Sequence, residues 1–108
     1  MIGKFQMYRH WVNDVGDFND FLSVVILCAP DEFPKSEWRK DDEQLNLERA
    51  FEEMQRGMEF LKKKKKDKEK IATLEQLLVD IISAYRSNEI KRAAWMVREL
   101  QMKAFGGI

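Results

Sequence analysis

Apolar residues recur at spacings of three and four along most of this chain, a pattern that predicts helices. In "KFQMYRHWVN", Phe5, Tyr8, Trp11 and Val12 fall on one helical face, and Val15 and Gly16 interrupt it. In "DFNDFLSVVILCAP", Phe18, Phe21, Leu22, Val25 and Ala29 share a face. Asp17 is placed to cap that element, and Asp20 puts a carboxylate in its first turn. The β-branched run Val24-Val25-Ile26 pulls toward strand. The cap, and the lack of partner strands elsewhere, favour a helix over 18–29. Pro30 drives Ala29 out of helical geometry and ends it.

A connector with two prolines follows, anchored by Phe33 and Trp38. Bulky aromatics in a loop either pin it to the core or, if exposed, mark a contact surface. "DDEQLNLERAFEEMQRGMEFL" is the clearest helix. Asp41 and Gln44 match a capping box, and Leu47, Ala50, Phe51, Met54, Met58 and Leu61 form a continuous stripe. Glu48, Glu52, Glu53, Gln55, Arg56 and Glu59 lie away from it. Gly57, inside this helix, costs about 1 kcal/mol against alanine and points to a close crossing or a kink.

"KIATLEQLLVDIISAYRS" carries the wide apolar face Leu74, Leu77, Leu78, Ile81, Ile82 and Tyr85, and is expected to be the most buried helix. Ser87 and Asn88 make a turn. Ile90, Ala93, Ala94, Val97, Leu100 and Phe105 then form the inner side of a last helix, which Gly106 and Gly107 stop. A turn this short predicts an antiparallel hairpin. "AYRSNEIKRAAWMVREL" resembles one helical hairpin of a tetratricopeptide repeat, with Tyr85 and Ala93 near matching places. With no second copy in the chain, it does not imply a repeat protein.

Composition agrees with this pattern. Five glycines and two prolines are too few for a sandwich or barrel, and 44% hydrophobic residues suffice for a core in 108 residues. The expectation is one all-α domain over 1–108, a bundle of four to five helices. Within it, residues 1–40 are less regular and 41–105 form the helical core. Cys28 is the only cysteine, so no disulfide can form within the chain. The first residues have no apolar signal core, and the longest apolar run, ending at Pro30, is far short of a membrane span. A cytoplasmic protein without membrane contact is expected.

Net charge is zero but unevenly placed: −4 over residues 1–43, −2 over 44–61, +5 over 62–70 and +1 over 71–108. The basic point is "KKKKKDKEK", Lys62 to Lys70. It resembles a short nuclear localisation run, and blocks of this kind can grip phosphate backbones. Here it is one point and not a stripe, beside an acidic half that would repel nucleic acid. Lysines also suit a helix C-terminus. A solvated helix end plus connector is the favoured reading, and a nucleic-acid-associated regulator is the alternative.

Candidate chemistry is sparse. His10 is the only histidine and has no paired nucleophile motif. Cys28 ends an apolar run with nothing nearby in sequence to lower its pKa. One Cys and one His cannot make a zinc site. "DVGDFND" lacks calcium-loop order, and no phosphate loop or dinucleotide fingerprint occurs, so neither metal nor cofactor is expected. Carboxylate acid–base work remains conceivable, but nineteen acidic residues offer no preferred pair.

The expected function is therefore non-enzymatic protein binding. The acidic, aromatic-bearing first half would meet a basic partner through Trp11, Asp14, Asp17, Asp20, Asp31, Glu32, Phe33 and Trp38. A bacterial immunity or antitoxin protein that plugs a basic toxin is one concrete version. Surplus apolar residues such as Trp95 and Met96 leave room for a homo-oligomer.

Overall fold

The computed structural model describes residues 10–35, 37, 39, 40 and 43–106. Four helices lie among them: α1 (Val15–Cys28), α2 (Leu47–Lys64), α3 (Lys68–Arg86) and α4 (Ile90–Phe105). The all-α expectation holds. Of the expected first helix, residues 5–9 lie outside the described residues, and His10–Val12 are not helical.

The helices pack as a ring: α1 on α2, α2 on α3, α3 on α4, and α4 back on α1. Each neighbour is antiparallel. Lys62 pairs with Glu75 and Glu48 with Arg86, which runs α3 back along α2. Phe18 meets Phe105 edge-on at 5.8 Å and Asn19 meets Gln101, so the start of α1 lies against the end of α4. This is an up-down-up-down four-helix bundle.

Local chemistry sets the boundaries. Asp14, not Asp17, caps α1: its Oδ1 accepts the Asp17 N–H at 2.7 Å. Asp17 Oδ2 accepts the Asn13 N–H at 3.0 Å, so the two carboxylates cap reciprocally and the helix starts before the expected Asp17. Ala29 is extended, as the following proline demands. The expected capping box at Asp41 does not start α2. Asn46 caps it by accepting the Arg49 N–H, while Gln44 donates to the Arg39 carbonyl and Asp41 lies outside the described residues. Asp67 caps α3 through the Lys70 N–H, one turn earlier than the apolar pattern implied.

α3 ends in a Schellman motif. Asn88 is left-handed at φ 62, the Glu89 N–H reaches the Ala84 carbonyl, and the Asn88 N–H reaches that of Tyr85. Glu89 is already the N-cap position of α4. Gly106, at φ 89, closes α4.

One core joins all four helices. Phe18, Leu22 and Val25 come from α1, Met54, Met58 and Leu61 from α2, Leu74, Leu78 and Ile81 from α3, and Val97 and Leu100 from α4. α2 buries seven residues and α3 six, so α3 is not the most buried helix. Gly57 serves a close crossing: Phe18 of α1 occupies the space a β-carbon would need.

Candidate interaction surface

The largest departure from the sequence pattern is Glu53. Expected on the solvent side of α2, it is fully buried. Its Oε1 accepts the N–H groups of Trp11 at 3.0 Å and Val12 at 2.9 Å. Its Oε2 lies 2.8 Å from His10 Nδ1, a distance at which an N–H donates to the carboxylate. One turn on, Arg56 Nε donates to the Val12 carbonyl at 2.7 Å, and its guanidinium reaches Asn13 Oδ1. Two side chains of α2 thus hold the backbone of Trp11 and Val12 and the side chain of Asn13, and let Val12 enter the core. The spacing offered a clue. Glu53 lies between Ala50 and Gly57, at i+3 and i−4, on the buried side of the helix.

This arrangement redistributes the expected contact residues. Trp11 is half-buried with the Arg39 guanidinium 3.7 Å over its ring. Asp14 and Asp17 are engaged in capping α1. Phe33 packs against the core. Asp20, Asp31 and Glu32 remain exposed, and Trp38 lies outside the described residues. Of the seven that are described, Asp14 caps the start of α1 and Asp20 stands within it, while Asp31, Glu32 and Phe33 follow its C-terminus.

The lysine run folds more completely than a connector would. Lys62, Lys63 and Lys64 form the last turn of α2, where cations oppose the dipole favourably. Lys68 and Lys70 stand in the first turn of α3, and only residues 65–67 are non-helical. A hydrogen bond to Glu75, aided by the charges of Glu59 and Glu75, raises the Lys62 pKa above the ordinary lysine value. Lys62, Lys63, Lys65, Lys66 and Lys68 rim an open cleft of about 440 Å³ floored by Ile71 and Ala72.

A different face leaves apolar groups in water. Leu27 of α1 is 78% exposed, and Trp95 and Met102 of α4 are 70% and 53% exposed. Between α1 and α4 runs a groove of about 650 Å³ lined by Asn19, Ser23, Ile26, Arg98, Gln101 and Phe105, with Leu27 and Met102, but not Trp95, on its walls. Gln101 Nε2 bridges its floor to Asn19 and Ser23. The Arg98 guanidinium lies 5.6 Å from the Trp95 ring, one turn away on the same outer stripe. Trp95 was legible as surplus to the core. Leu27 was legible only as a residue off the Phe18–Val25 face.

Among the described residues no three His, Cys, Asp or Glu side chains converge to hold a metal ion. No helix there is long and apolar enough to cross a membrane. No family model, curated protein or solved structure matches the chain.

Proposed function

We propose that this chain is a non-catalytic protein-binding domain that takes its partner on the α1–α4 face. The observation that carries this is the exposure of Leu27 and Met102 on the walls of one groove, with exposed Trp95 one turn from the groove-lining Arg98. Clustered apolar surface of this kind is where proteins meet partners, and Trp and Arg dominate interface energies. Asp20, one heptad before Leu27 on α1, and the exposed Asp31 and Glu32 after it border the face with negative charge. A partner with basic groups around an apolar element suits that border; a basic toxin held by an immunity protein is one form.

The engagement of the reactive side chains supports a non-catalytic role. The His10 ring is engaged by the Glu53 carboxylate, which also holds the Trp11 and Val12 N–H groups. Cys28 ends α1 and is partly buried. Asp80 accepts from Gln76, and Glu99 pairs with Lys103.

The experiment is affinity capture from the native host by the wild type and by Trp95→Ala and Leu27→Ala, with circular dichroism to establish folding. A stoichiometric protein recovered by the wild type and lost by both variants is the expected result. Equal recovery by all three overturns the face.

The lysine cleft favours a second reading, a nucleic-acid grip at Lys62–Lys70. A gel-shift series would then show affinity falling steeply with salt and collapsing when Lys62–Lys66 are neutralised. Absence of binding at low salt rejects it.

A further inference from the structure

Independently of the α1–α4 face, we propose that the cleft at the α2–α3 corner binds a small soluble polyphosphate. Lys62, Lys63, Lys65, Lys66 and Lys68 line it, together with Glu75. Of these lysines only Lys62 has an ion-pair partner among the described residues, Glu75 at 3.1 Å and Glu59 at 3.6 Å. Elsewhere Arg49, Arg86, Arg92 and Lys103 each meet a carboxylate. Lys63, Lys65, Lys66 and Lys68 thus crowd like charge around a space of about 440 Å³, the size of a small-ligand pocket.

The fold does not require this crowding. Lys62, Lys63 and Lys64 suit the C-terminal turn of α2, but Lys65 and Lys66 lie beyond it. Lys68 and Lys70 stand in the first turn of α3, where the helix dipole disfavours cations. Asp67, the carboxylate nearest in sequence, is engaged in capping α3 through the Lys70 N–H. Like charges packed this closely repel, and a polyanion seated between them turns that repulsion into attraction.

Three features select the ligand. Chained phosphates put more charge into a small volume than a peptide, which carries at most one carboxylate per residue. The patch is also short. The adjoining hollow, which shares Lys63, adds one cation, Lys64, and one anion, Asp14, so it offers a longer nucleic-acid strand no net attraction. Finally, none of the exposed large apolar residues, Leu27, Val79, Trp95 and Met102, lines the cleft, so nothing there would enter a bilayer beside a phospholipid headgroup.

Isothermal titration calorimetry with sodium tripolyphosphate at physiological ionic strength tests this, with circular dichroism confirming that each variant is folded. The wild type should bind saturably, and saturation should raise its melting temperature. Lys66→Glu should weaken binding by about tenfold or more. Lys91→Glu makes the same change in net charge at the start of α4, at the other end of α3, and should leave the affinity within about twofold. Glu75→Gln removes a carboxylate from the cleft and should tighten binding. A wild type with neither heat nor melting shift, or equal weakening by Lys66→Glu and Lys91→Glu, overturns the site. Short polyglutamate bound as tightly as tripolyphosphate overturns phosphate as the ligand class. Long single-stranded DNA that displaces tripolyphosphate at matched phosphate concentration overturns the small ligand in favour of a nucleic-acid grip. Binding to vesicles of phosphatidylcholine with phosphatidylinositol bisphosphate, without binding of free tripolyphosphate, overturns the soluble source.

Discussion

At Gly57 a single hydrogen decides the fit of two helices. A methyl group there would lie well inside van der Waals contact distance of Phe18 Cγ and Cδ1, and Phe18 is fully buried. Gly57→Ala gains about 1 kcal/mol of helix propensity. Overpacking a closed core costs roughly 1–3 kcal/mol and can cost more. The variant should therefore show a lower urea midpoint than the wild type, against the usual sign of an exposed Gly→Ala change. Tyr85 presents the reverse case. Its hydroxyl is buried with no hydrogen-bond partner among the described residues, and burial raises its phenol pKa. A raised folded-state pKa leaves stability intact below the unfolded value, about 10, and removes it as pH rises through the folded value. Tyr85→Phe should match or exceed wild-type stability at neutral pH, by up to about 1 kcal/mol, and should lack this component of the alkaline loss. Chemical denaturation at neutral and alkaline pH measures both. The Gly57 crossing was legible, since glycine inside a strong helix needs a reason. Glu53 was not, because a carboxylate at a core spacing reads as solvent-facing until its donors, forty-one or more residues away, are in view.

Periodicity identified all four helices, since each buries a face at spacings of three and four. Their starts were misjudged wherever two capping residues competed. Asp14 accepts the Asp17 N–H while Asp17 accepts that of Asn13, and Asn46 took the role expected of Asp41. Hydrogen-bond partners choose among such candidates, and composition does not record them. The α3–α4 turn was better defined by its residues. Asn88 is the one non-glycine residue with positive φ among those described, and it tolerates that region better than a β-branched residue would. Thermal melts should rank Asn88→Gly equal to or above the wild type. Asn88→Val should fall below it by about 1–2 kcal/mol. Equal melts for all three would mean that the motif does not constrain the hairpin.

At the scale of the molecule, the ring of antiparallel helices sets which surfaces stay wet. α1 and α4 meet along their inner sides, so Leu27 and Met102 stand in solvent on the walls of the groove between them, and Trp95 is exposed on α4. Helical spacing could show that Trp95 lay off the core stripe. It could not show that Leu27 and Met102, 75 positions apart, would wall one groove, because that depends on α1 closing the ring against α4. The acidic surplus of residues 1–43 was visible as charge, yet capping consumes Asp14 and Asp17 and leaves a shorter acidic border. The grip of Glu53 and Arg56 on residues 11–13 has a kinetic consequence as well. The amide protons of Trp11 and Val12 belong to no helix, but a buried carboxylate on α2 holds them. Their exchange with deuterium should follow the opening of α2 and not the fraying of a chain end. In Glu53→Ala these two amides should lose protection by far more than the α2 amides do, which two-dimensional NMR would read residue by residue. The segment ahead of the first helix would then keep the clock of the second.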